Sequence, residues 1–186
     1  GAEWPLQQKE IYWLNYEGQG IVWHDARISA RTAQDLLESK LGSDVTLACI
    51  APMTNVAKAF PNRSIDTRLY VMGQPGSHNF TVDKRASEVV LNNATDVTLI
   101  TTEVAKKTYL THKELFSLST GNKAIDEAIY ANAQNWSRHS PYKDRFYLYD
   151  PLTIASIARP DLIKVGKKEG QKVSVGVDSE AFKEHF

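Results

Sequence analysis

With 186 residues, 42% of them hydrophobic and 24% charged, the chain is long enough to bury a core and suits one globular domain over residues 1–186. Lysine plus arginine number 22 and aspartate plus glutamate number 22, so no net field draws the protein to nucleic acid or to an acidic surface. No apolar run approaches the length of a membrane span, and a lone cysteine, Cys49, excludes an internal disulfide and a thiolate metal cluster.

The opening Gly1-Ala2-Glu3-Trp4-Pro5 lacks the basic-then-apolar pattern of a leader. Short strands are predicted over 11–16 and 21–23, then a helix over 30–41 with Ala33, Leu36, Leu37 and Leu41 on one side. Residues 44–50 read as a strand carrying Val45, Thr46, Leu47 and Ile50, and a short helix over 55–60 is closed by Pro61. A second strand spans 68–72. Residues 84–92 place Ala86, Val89, Val90 and Leu91 on one helical face, and 96–101 return to strand character. Further helices are expected over 113–118, 122–137 and 151–158, a late strand over 173–177 and a terminal helix over 180–186.

This alternation predicts an α/β fold, an open and mainly parallel sheet flanked by helices. Ligands of such sheets bind outside the carboxyl ends of the strands, which singles out the loops after Ile50, Met72 and Thr101. Several polar residues there have structural roles available. Asp150 before Pro151 makes a good N-cap and first-turn pair, Asp83 can cap the helix after it, and Thr54 or Asn55 can cap theirs. Asn79 suits a turn or a glycan. His24 and Asp25 are adjacent, so in a strand they point to opposite faces and cannot readily share a proton. Ser119-Thr120-Gly121 and the aromatic set Tyr142, Phe146, Tyr147 and Tyr149 could edge a nucleobase or fill a core. Cys49, inside an apolar strand, reads as a buried, inert thiol. Four sequons, at Asn62, Asn79, Asn93 and Asn135, fit a secreted eukaryotic protein.

Four segments in order resemble one family. Residues 44–57 end in the turn Ala51-Pro52-Met53-Thr54-Asn55; Leu69-Tyr70-Val71-Met72-Gly73 is a strand with a glycine turn; Asn79-Phe80-Thr81-Val82-Asp83 leads into a helix; and Tyr149-Asp150-Pro151-Leu152 opens another. Together they resemble the central and C-terminal part of the inosine-uridine preferring nucleoside hydrolases, with the stretch over 163–172 shortened. The resemblance implies a truncated nucleoside hydrolase-like fold. It further implies cleavage of the N-glycosidic bond of ribonucleosides by water held on calcium, with an aspartate as general base.

Two metal positions carry over by resemblance, the Asp150 carboxylate and the Ile50 main-chain carbonyl. Asn79 and Tyr149 carry over as substrate-binding residues; Tyr149 stands where the family often has a histidine and is the one weak catalytic candidate. Ser77 stands where the family has a glutamate, and the polar loop is reduced to Gln74-Pro75-Gly76. No Asp-x-Asp-x-x-x-Asp-Asp run occurs in these residues. Calcium takes about six to eight oxygen ligands, so one carboxylate and one carbonyl make a poor site, and no general base is left. The expectation is therefore a degenerate nucleoside hydrolase-like protein, inactive as an isolated chain, that keeps ribose or nucleoside binding. The alternative is an active N-ribohydrolase, calcium as its cofactor, with the metal loop supplied by another segment or subunit; a third is a rebuilt metal-free site using His24, Asp25 and Tyr149. A homo-oligomer is among the partners the family implies; nucleic acid and membrane are not.

Overall fold

The computed structural model describes Pro5, Leu6, Tyr142 and residues 29–140 and 145–185. In chain order the elements begin with α1 (Ala33–Lys40), β1 (Thr46–Cys49), α2 (Thr54–Ala59), β2 (Arg68–Met72), α3 (His78–Val82), α4 (Lys84–Asn93) and β3 (Val97–Ile100). There follow α5 (Thr102–Ala105), β4 (Tyr109–Leu110), α6 (His112–Phe116), α7 (Lys123–His139), β5 (Phe146–Tyr147) and α8 (Tyr149–Ala158). A 3-10 turn (Pro160–Leu162), β6 (Ile163–Lys168), β7 (Gln171–Val177) and α9 (Ser179–His185) close the chain. The strands expected over 11–16 and 21–23, and the pair His24 and Asp25, lie outside the described residues.

These residues fall into two compact units. One is built from Ala30–Thr108 and the chain from Leu148 onward, with Leu6; the other from Tyr109–Tyr147.

The first unit holds the five-stranded sheet, ordered β1-β2-β3-β7-β6. β1, β2, β3 and β7 run parallel and β6 is antiparallel to β7, the mainly parallel sheet the alternation predicted. Alternation along the strands puts Leu69, Val71, Leu99 and Val173 in one core with Val56 and Ala57 of α2, Ala86 and Val90 of α4, and Phe80. Each of these leucine, valine and phenylalanine side chains contributes about 1.5–3 kcal/mol by leaving water. α8 packs against β1 and β2 and buries Leu152, Thr153 and Ser156 completely.

β6 was not evident from the sequence. Its run Ile-Lys-Val-Gly-Lys-Lys has too few apolar residues to read as a strand; the turn creates it, with Glu169 at φ 50° and Gly170 at φ 82°. Two successive positive φ values match the twist of a tight hairpin. At the strands' amino ends, Asp96 accepts from Lys172 Nζ at 2.7 Å and lies 3.4 Å from Arg68 Nε, linking β2, β3 and β7.

Two capping expectations are corrected. α8 starts at Tyr149, its N-cap is Leu148, and no side chain caps it. Asp150 is thus the second helical residue, and Pro151 is tolerated in the first turn because the amide it lacks would have no intrahelical partner. α2 is preceded by Met53 without a side-chain cap, so neither Thr54 nor Asn55 fills that role.

The second unit pairs β4 with β5 antiparallel and packs α6 against α7 and β4. Its aromatic rings meet edge to face: Trp136 with Phe146 at 5.1 Å, Tyr142 with Tyr147 at 5.3 Å and Tyr109 with Tyr147 at 6.3 Å. Such pairs add about 0.5–1.5 kcal/mol beyond their buried area.

Candidate functional site

In the first unit the connections that leave the carboxyl ends of the strands carry the sequence-predicted residues. The turn after β1 begins at Ile50, which is 38% exposed and whose carbonyl accepts no hydrogen bond among the described residues. Met53, Thr54, Val56 and Ala57 behind it are buried.

The turn after β2 depends on a residue without a side chain. Gly73 sits at φ 111°, and a Cβ there would lie 2.3 Å from Ser77 Oγ. Ser77 Oγ accepts from the Gln74 main-chain amide at 3.1 Å, which holds the turn. Asn79, half-buried in α3, donates from Nδ2 to the Met72 carbonyl at 3.2 Å. Its amide thereby closes the end of β2.

Gln74 then reaches across to the connection after β3. Its Oε1 accepts from the Thr102 amide at 2.9 Å, while Nε2 donates to Thr102 Oγ1 at 3.0 Å and to Glu103 Oε2 at 3.1 Å. This polar clasp was missed by sequence reasoning, because it joins residues 28 positions apart that share no motif. Beside it a cleft of about 290 Å³ is lined by Gln74, Thr101, Glu103, Lys168 and Gln171. Asp150 is not among its lining residues.

Asp83, Glu103 and Asp178, three acidic residues on these connections, are each engaged by a donor. Asp83 is fully buried: Oδ1 accepts from the Ala86 amide at 3.0 Å, and Oδ2 accepts from Thr54 Oγ1 and from the Leu6 amide, both at 2.7 Å. Glu103 is held by Gln74, and Asp178 Oδ1 caps the Ala181 amide at 3.0 Å. Asp150 differs. It is half-buried in the first turn of α8, and no hydrogen bond or ion pair reaches its carboxylate from the described residues. Burial pushes its carboxyl above the ordinary carboxylate range. Helix α8 is fixed there by packing against β1, β2 and α5, and by the Leu148 amide bonded to the Thr108 carbonyl at 3.0 Å.

The remaining candidates make bonds within the chain. Tyr149 opens α8, and its carbonyl accepts from Thr153 Oγ1 at 3.2 Å. The Ser119 and Thr120 hydroxyls bond Asp126 at 3.0 and 2.7 Å, ordering the start of α7 rather than a pocket edge. Cys49 is buried, its thiol pushed up to about 12 by desolvation, which agrees with the inert reading. Among the sequon asparagines, Asn79 and Asn93 commit Nδ2 to backbone carbonyls, whereas Asn62 stands in an exposed turn.

A mainly parallel sheet flanked by helices is the fold the resemblance implies. The sequence profile of the inosine-uridine preferring nucleoside hydrolases matches residues 16–184. The chain belongs to this family. Uridine nucleosidase 1 of Arabidopsis thaliana is 23% identical over 172 residues, an alignment covering 80% of this chain and 51% of that protein. The chain thus spans about half the length of that curated relative.

Among solved structures, a plant nucleoside hydrolase superposes with a TM-score of 0.79 at 18% identity, over 95% of this chain and 74% of its own. A purine-preferring ribonucleoside hydrolase from Gardnerella vaginalis gives 0.68 at 20% identity, over 86% and 65%. These likenesses show the fold.

Nucleoside hydrolases typically depend on a metal, and the donor set here can be tested against one. Calcium takes about six to eight oxygens, several of them carboxylate. Among the described residues no group of three or more His, Cys, Asp or Glu side chains could hold a metal ion. Asp150 and the Ile50 carbonyl supply two oxygen-bearing groups, while Asp83 and Glu103 have both oxygens bonded and Asp178 has one. The described residues do not fit a calcium centre.

Proposed function

We propose that this chain is a nucleoside hydrolase-fold protein that binds ribose or a nucleoside but does not cleave the N-glycosidic bond unaided. One observation carries the reading: of Asp83, Glu103, Asp150 and Asp178, Asp150 alone receives no hydrogen bond or ion pair from the described residues. A lone carboxylate can accept hydrogen bonds from sugar hydroxyls, each worth about 1.5–3 kcal/mol to a charged acceptor. It cannot both hold a divalent ion and supply a base for the attacking water.

A second reading is an active N-ribohydrolase whose further ligands come from another segment or subunit. The chain's 51% span of its curated relative supports it, as does the cost of leaving Asp150 buried without a cation. The family's purine and pyrimidine ribonucleosides are the substrates on that reading, calcium the cofactor, and a homo-oligomer the form in which a neighbour could complete the site.

Release of free ribose from inosine and uridine by the purified chain, with added calcium, separates the two. The first reading expects no release, together with a rise in melting temperature on adding ribose or inosine, since a ligand that prefers the native state stabilises it. Calcium-dependent turnover lost in Asp150→Ala would establish the second. Neither turnover nor a thermal shift would defeat both.

A further inference from the structure

We propose that Asp83 is a positioning residue for the edge of the sheet that carries Ile50, acting through Thr54 on the turn after β1 and tying Leu6 to the same point. The ligand-binding consequence rests on the function proposed above; the positioning itself does not.

The argument starts from what capping requires. An N-cap needs one side-chain oxygen and one amide of the first helical turn. Thr32, Thr111 and Asn122 cap α1, α6 and α7 in this way while remaining exposed, each serving donors two or three residues along the chain. Asp83 meets that requirement with Oδ1 alone. Its other oxygen makes two shorter bonds, to groups 29 and 77 residues distant, and the residue is fully buried. Capping accounts for neither the burial nor the second oxygen.

The distant partners are specific. Thr54 is the first residue of α2 and is 7% exposed, so its hydroxyl has no water to turn to if the carboxylate moves. Thr54 follows the turn 51–53, and that turn follows Ile50 directly. Leu6 packs against the same core as α2 and α4. A carboxylate shared by the start of α4, the start of α2 and the N-terminal segment makes their positions interdependent. Each bond is a charge-assisted contact in a low-dielectric setting, where a lost partner is costly.

Thr54→Val keeps the shape and removes the donor, and Thr54→Ser restores the donor. Hydrogen–deuterium exchange on the full chain without ligand reads the result. Exchange across 51–56 should quicken about tenfold in Thr54→Val while Val97–Ile100 stays at the wild-type rate, and Thr54→Ser should return 51–56 to wild-type protection. Equal protection in Thr54→Val and wild type would overturn the proposal, as would loosening spread evenly over β3. Should Thr54→Val not fold, Asp83→Asn, which keeps an acceptor for Ala86, carries the test; exchange at both 51–56 and Leu6 should then rise together, and unchanged exchange would overturn it. In parallel, the ribose or inosine Kd should weaken about tenfold in Thr54→Val and recover in Thr54→Ser. A wild-type chain that binds neither ligand would sink the function proposed above while leaving the exchange result to decide this one.

Discussion

Asp83 and Asp150 each stand at the start of a helix, α4 and α8, yet their surroundings are opposite. Asp83 is buried and receives three donors, two of them from distant parts of the chain. Asp150 is half-buried and receives none from the described residues, so its burial is a cost that nothing there offsets. On the proposed function the difference separates scaffold from site: a carboxylate saturated by its own fold has no capacity left for a ligand, and one left unsaturated has.

The largest effect should come from removing the saturated member. Asp83→Ala leaves the Thr54 hydroxyl and the Leu6 and Ala86 amides without their acceptor, and should cost about 3–5 kcal/mol in urea unfolding. A loss below about 1 kcal/mol would erase the contrast.

Asp150→Asn should act in the other direction. The folded carboxyl titrates above its ordinary value of 3.8, so the native state binds more protons than the unfolded one. Stability therefore falls as pH climbs from about 4 through the raised value. At pH 7 the asparagine variant should melt higher than wild type and lose that slope. A lower melting temperature would show that the carboxylate is engaged after all.

Asp96, at the amino ends of the strands, supplies the small reference effect. Its hydrogen bond with Lys172 holds its carboxyl below 3.8, so this stability is present above that value and fades as pH falls through the lowered one. Both side chains are partly solvated, and Asp96→Asn should cost less than about 1 kcal/mol in the same unfolding measurement.

The sequence made the repeating units legible and the cross-connections invisible. The strand expected over 68–72 lies at Arg68–Met72, where Leu69-Tyr70-Val71-Met72 forms a short apolar, β-prone run between Arg68 and Gly73. α4, predicted over 84–92, ends one residue later. α3, α5, β4 and β5 have two to five residues each, too short for any period to show; tertiary partners, such as the core around Phe80, hold α3 in place. At the site, Asp150 and Ile50 were found through motif resemblance, and Asp83 was seen only as a cap. Its bonds to Thr54 and Leu6, like the Gln74 clasp, join residues whose proximity exists only after folding.

The central claim is that one unengaged carboxylate does not make a calcium centre. Isothermal titration of the purified chain with calcium chloride measures it directly. The account predicts no saturable heat at millimolar calcium and the same flat titration for Asp150→Ala. A one-to-one isotherm of micromolar affinity that disappears in Asp150→Ala would contradict it.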